Sequence, residues 1–191
     1  TEGHALKGVL KADMENIRST MEKIDYNTFE DVVNNIFAAK RIYIIGLRSS
    51  MALAEFLGFY LNIILQNVKT VGYGISDIFE QMINVGEGDL VIGIGFPRYA
   101  SRTIDALAFA QDRGATVVAV TDSFLSPLAA RADYSLIAQS NMASFVDSLV
   151  APLSVINALI IAVGMREKEN ISSTFNSLEE IWREYNVYSY N

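Results

Sequence analysis

The chain has 191 residues, 51% hydrophobic and 19% charged, which suits one domain with a sizeable core and argues against disorder. Its net charge of −7 leaves no whole-chain basic footprint for nucleic acid. The absence of cysteine excludes disulfides, zinc-thiolate sites and thiol chemistry, and it fits a reducing compartment, so a cytoplasmic location is expected.

Two helical stretches, about 5–24 and 27–39, precede the first short apolar run, RIYIIG at 41–46. Residues 50–66 carry Met51, Leu53, Ala54, Leu57, Leu61, Ile64 and Leu65 at helical spacing. The run VKTVGY (68–73) comes next, and Ile75, Ile78, Phe79, Met82 and Ile83 predict a helix over 75–85. VGEGD (85–89) turns the chain into DLVIGIG (89–95). Ile104, Leu107 and Ala108 predict a helix over 101–113, with Gly114 at the C′ position where a left-handed conformation ends a helix. ATVVAV (115–120) and DYSLIA (133–138) flank SPLAARA (126–132), which reads as a short helix with Ser126 as N-cap and Pro127 at its first position. Helices over about 144–169 and 172–185 close the chain.

The charge-free run SLVAPLSVINALIIAVGM (148–165) is long enough to raise the question of a membrane span. Pro152, Ser154 and Asn157 interrupt it and Asp147 and Arg166 bracket it, so the reading is a helix buried in a core or subunit interface, and no membrane partner is expected.

Five short, continuous apolar runs alternating with helices are the pattern of βαβ units and an open parallel α/β sheet covered on both faces. The expected fold is therefore a three-layer α/β sandwich with a five-stranded parallel sheet in the flavodoxin-like order 2-1-3-4-5. In such a sheet ligands bind beyond the carboxyl ends of the strands where the order reverses, here between strands one and three. The loops at that point are GLRSS (46–50) and GIGFPRYASRT (93–103), and these are the loops that hold glycine, hydroxyls and arginine.

Gly46 suits a sharp turn after the first strand. Ser49 and Ser50 stand at a helix start, where free backbone N–H groups and the positive helix end favour an anion. Arg48 and Arg98 offer forked, charge-assisted hydrogen bonds to a phosphate, and Tyr99 a flat face for a sugar ring. Ser101 opens the next helix; Thr121, Asp122 and Ser123 follow the fourth strand toward the same crevice. Each has a plainer reading: Ser49 or Ser50 as an N-cap, Arg98 as a solvated charge, Tyr99 as packing, Asp122 as a turn cap. The stretch GIGFPR begins like a dinucleotide fingerprint but has Arg98 in place of the third glycine, the P-loop pattern is missing, and no carboxylate–histidine cluster suggests a metal. No cofactor or metal is expected.

The stretches IYIIGLRSSMALAEFL (42–57), GFPRYASRTIDAL (95–107), RGATVVAVTDSFLSPLAARAD (113–133) and SFVDSLVAPLSVINALI (144–160) resemble the sugar isomerase (SIS) domain, and within it the ligand-sensing domain of RpiR/MurR-type bacterial transcription regulators. The resemblance implies a phosphosugar-binding domain over 28–191, with residues 1–27 as a linker helix from a helix-turn-helix domain through which alone the protein would reach DNA. It implies a phosphorylated sugar or amino sugar as effector and assembly into a homodimer or tetramer. It adds Ser144 to the ligand-binding candidates Arg48, Ser49, Ser50, Arg98, Tyr99, Ser101, Thr121 and Ser123. The family commonly carries hydroxyl residues after the third strand where this chain has Gly95, Pro97 and Ala100, and often a second glycine where Arg48 stands.

The same fold hosts aldose–ketose isomerisation, which needs a base beside a carbonyl. His4, the only histidine, lies near the start, so the base would be a carboxylate: Glu55, Asp77, Glu80 or Asp147. A binding and regulatory domain is the favoured expectation, with phosphosugar isomerase as the alternative and no residue assigned as catalytic.

Overall fold

The computed structural model describes residues 1–189. Helices α1 (Glu2–Lys23) and α2 (Tyr26–Ala38) lead into β1 (Ile42–Gly46), and α3 (Met51–Leu65) connects to β2 (Val68–Val71). The short α4 (Ile78–Gln81) leads to β3 (Leu90–Ile94), α5 (Ser101–Asp112) to β4 (Thr116–Thr121), and a 3₁₀ turn at Ala129–Arg131 to β5 (Tyr134–Ile137). Helices α6 (Val150–Arg166) and α7 (Lys168–Glu184) complete the chain.

The five strands form one sheet in the order β2-β1-β3-β4-β5, all parallel, with Ile42 of β1 beside Val68 on one side and Leu90 on the other. Alternation along the strands divides two cores. Ile42, Ile44, Leu90, Ile92 and Val118 pack under α2, α3 and α6. Tyr43, Ile45, Val91, Val117 and Ala119 pack under α4 and α5. The apolar run at 148–165 is α6, whose Val155, Ile156, Leu159 and Val163 are buried in the first core. Pro152 falls in its first turn, where no intrahelical donor is lost. No single helix among the described residues is long and apolar enough to cross a membrane.

The local signals act as read. Gly114 takes φ +80°, its N–H bonds to the Gln111 carbonyl at 3.0 Å, and Ala115 N–H reaches Ala110 at 3.1 Å, the paired bonds of a Schellman end. Ser126 accepts the Ala129 N–H at 3.1 Å, but the segment closes as a three-residue 3₁₀ turn rather than an α-helix. The expected helix over 75–85 is also shorter. Asp77 accepts the Phe79 N–H and the Asp77 N–H donates to Glu80, a capping box that starts the helix at Ile78 and leaves Ile75 fully exposed. Ile78, Met82 and Val85 still form the buried face, the last two from turns rather than helix.

Candidate functional site

Strands β1 and β3 lie side by side, yet α3 leaves β1 on one face of the sheet and α5 leaves β3 on the other. The two departing loops therefore part and open a crevice of about 240 Å³ above the carboxyl ends of the strands. It is lined by 47–50 from the first loop, 94–98 and Ala100 from the second, and Phe145 and Asp147 from the segment before α6.

Gly46 is required by close approach and not by a left-handed turn: a Cβ there would lie 2.7 Å from the Ser50 carbonyl oxygen. The left-handed position is Arg48, at φ +57°, opening the 3₁₀ turn Arg48–Ser50 that feeds α3. An L-residue is strained there by about 1–2 kcal/mol. Replacing it with glycine relieves that strain and adds about 0.4–1 kcal/mol of unfolded-state entropy. Arg48→Gly is thus expected to raise the unfolding midpoint by roughly 1–4 °C while weakening anion binding. Thermal unfolding and a binding isotherm on the same variant check both signs; a fall in midpoint contradicts the strain.

Ser50 is buried, stands at the N-cap position of α3 and makes no capping bond, so its hydroxyl is left for the crevice. Ser49 donates to Asp147 Oδ2 at 2.8 Å, tying the first loop to the segment before α6. Arg48 and Arg98 are exposed, and neither enters an ion pair among the described residues. The crevice thus presents two free guanidinium groups, two serine hydroxyls and the starts of α3 and α5.

The other predicted contacts lie elsewhere. Tyr99 donates to Asp122 Oδ1 at 2.7 Å; burial, reinforced by that carboxylate, pushes its phenol up to about 12. Thr121 is buried and donates to Ser126 at 3.0 Å, and Ser123 accepts the Leu125 N–H at 3.0 Å. These three organise the β4–β5 connection and do not line the crevice. Ser101 is exposed at the first position of α5, beside the crevice wall, and Ser144 is exposed one residue before the lining Phe145. Phe145 was not anticipated; its only signal was its place in the SFVDSLV stretch.

Of the four carboxylates considered as bases, only Asp147 reaches the crevice. Asp77 and Glu80 form the α4 capping box, Asp77 also meets Arg102, and Glu55 lies over β2 beside Lys69 and Thr70. His4 sits on the exposed first half of α1 beside Thr1.

A family model for the SIS domain matches residues 35–162. The chain belongs to the SIS domain family. Among SIS structures, the sugar isomerase domain of an RpiR transcription factor from Sphaerobacter thermophilus superposes with a TM-score of 0.85 at 31% identity, covering 90% of this chain and 96% of that one. The Vibrio vulnificus NanR protein complexed with ManNAc-6P superposes with a TM-score of 0.77 at 17% identity, over 92% of this chain and 67% of that one, a likeness of fold. An HTH-type transcriptional regulator of Haemophilus influenzae is 28% identical over 161 residues, 82% of this SIS chain and 55% of the regulator. The chain thus spans about half the length of that curated relative.

Proposed function

We propose that this chain is an effector domain that binds a phosphorylated sugar or amino sugar and passes the event to a DNA-binding helix-turn-helix segment ahead of α1. The observation that carries this reading is the pair of unpaired guanidiniums, Arg48 and Arg98, facing one crevice with the Ser50 hydroxyl. Forked charge-assisted bonds and helix starts are the chemistry of phosphate capture. The Asp147 carboxylate and the Ser49 oxygen supply acceptors for sugar hydroxyls, and Phe145 an apolar face. The transcriptional relatives, their greater length and the ManNAc-6P held by NanR support the same reading.

The regulator acts in the cytoplasm as a homodimer or tetramer. Leu6, Leu10, Met14 and Met21 make an exposed apolar stripe along α1 at helical spacing, and a second copy covers it.

Thermal unfolding against a panel of sugar phosphates, with inorganic phosphate as control, tests the binding. A ligand at a hundred times its Kd adds about 2.7 kcal/mol, a midpoint shift of roughly 5–11 °C for a domain of this size. One sugar phosphate should give that shift, and Arg98→Ala should weaken it by roughly 10–100-fold, the worth of a charged hydrogen bond. No shift with any member of the panel overturns the reading.

Asp147 in the crevice favours a second reading, aldose–ketose isomerisation with that carboxylate as base. Incubating the bound sugar phosphate with protein in deuterium oxide decides it. Exchange of the hydrogen next to the carbonyl, lost in Asp147→Asn, identifies an isomerase; the sensor leaves that hydrogen in place.

A further inference from the structure

Three side chains of α1 hold the wall of the crevice from more than a hundred residues away in the sequence. Asp13, Asn16 and Thr20 share one face of the helix by their spacing. Asn16 and Thr20 are 2% and 6% exposed, and polar groups so buried are retained only when bonded. Thr20 donates back to the Asn16 carbonyl at 2.7 Å, and every other partner of the three side chains lies in the segment between β5 and α6. Asn16 donates to the Asn141 carbonyl at 3.0 Å and accepts the Asn141 N–H at 3.2 Å. Thr20 accepts the Gln139 N–H at 2.9 Å, and Asp13 accepts the Ser148 hydroxyl at 2.6 Å.

That segment also carries Phe145 and Asp147, its contribution to the crevice. Among the described residues, every hydrogen bond tying 139–148 to another element goes to α1 or, through Asp147, to Ser49. The apolar side of α1 is only partly covered, with Ile17 and Met21 exposed. A groove of about 350 Å³ lies between Ile17, Met21 and Ile24 and the α2 and α6 residues Phe29, Val155 and Ala158. The polar face carries the directional bonds of the docking.

We propose that Asp13, Asn16 and Thr20 are positioning residues of the effector site, and that crevice occupancy and the seating of α1 are one linked equilibrium. A ligand that engages Phe145 and Asp147 fixes the segment and with it α1; loosening α1 lets the wall fall away from the ligand. Linkage makes the two effects equal in size. This inference rests on the sugar-phosphate reading only for its ligand arm.

The chain lacks cysteine, so Val146→Cys gives a unique site for a nitroxide on the segment. In the ligand-free protein, Asn16→Ala should make that label markedly more mobile, and Lys11→Ala, exposed on the same helix and off both the polar face and the apolar stripe, should not. ManNAc-6P should bind about tenfold more weakly to Asn16→Ala than to the parent, within the usual range of coupling. It should also slow amide exchange over residues 13–23 in the parent but not in the variant. If Asn16→Ala does not fold, Ser148→Ala removes one tie from the segment side and serves in its place. An unchanged label spectrum overturns the inference, as does unchanged affinity. If ManNAc-6P and the rest of the sugar-phosphate panel leave even the parent unaffected, the sugar-phosphate reading fails, and the nitroxide still decides whether α1 positions the wall.

Discussion

Asp89→Ala is expected to destabilise the chain by about 2–4 kcal/mol, because it removes a buried, fully bonded carboxylate. The Asp89 side chain is 1% exposed and takes a fork from Arg41, Nε to Oδ1 at 3.1 Å and Nη2 to Oδ2 at 2.9 Å. It also accepts the Gly86 N–H at 3.0 Å, which holds the turn entering β3. Truncation leaves that N–H without its acceptor at the foot of the central strands. The unfolding midpoint should fall by roughly 5–15 °C for a domain of this length. Arg41→Met should also destabilise, because it strands the buried carboxylate, and Arg41→Lys should rescue only in part, since an ammonium cannot supply the fork. The site lies at the amino ends of the strands, opposite the crevice, so ligand affinity of the folded fraction should be unchanged. A loss of less than 0.5 kcal/mol, the ordinary range for surface changes, contradicts the assignment.

Gly46→Ala should damage stability and binding together. The added methyl would meet the Ser50 carbonyl oxygen at 2.7 Å and its carbon at 3.1 Å, and the Ala54 Cβ at 3.2 Å. These are backbone and first-turn atoms, so the start of α3 must shift, at about 1–3 kcal/mol by the usual cost of overpacking. The shift carries Arg48, Ser49 and Ser50 with it, and sugar-phosphate binding should fall at least about tenfold. Gly95→Ala is the contrast. Its nearest neighbours are the terminal methyls of Leu128, at 2.8 and 3.1 Å, which can rotate away. Calorimetry and a binding isotherm on the pair should separate them; equal effects argue that the Gly46 approach is not what aims the first loop.

The strands and their order were legible because a parallel sheet buried on both faces writes itself as short continuous apolar runs. The crevice was legible because strand order fixes where the loops part, and Arg48, Ser49, Ser50 and Arg98 lie where that argument put them. Tyr99, Thr121 and Ser123 have the residue types of ligand contacts, but each is engaged by a partner in the β4–β5 connection. A hydroxyl in a sequence does not show whether a neighbour has already claimed it. Glycine was a partial guide: the strained left-handed position fell to Arg48, while Gly46 answers a contact four residues on. The ties from Asp13, Asn16 and Thr20 span sequence separations of 119 to 135 and leave no local periodicity to read. Their one trace is a polar face on a helix whose neighbouring positions are apolar.

Residues 2–11 of α1 are exposed, and the first buried side chain of the helix is Asn16. At 1.5 Å per residue the length from Asn16 to Glu2 is about 21 Å. A rigid rod pivoting by about 10° at that fulcrum sweeps its tip through about 4 Å. The geometry is that of a lever with a short inner arm and a long outer one. The inner arm, Asn16 to Lys23, is half as long as the outer one, so a displacement at the inner end is about doubled at the exposed end.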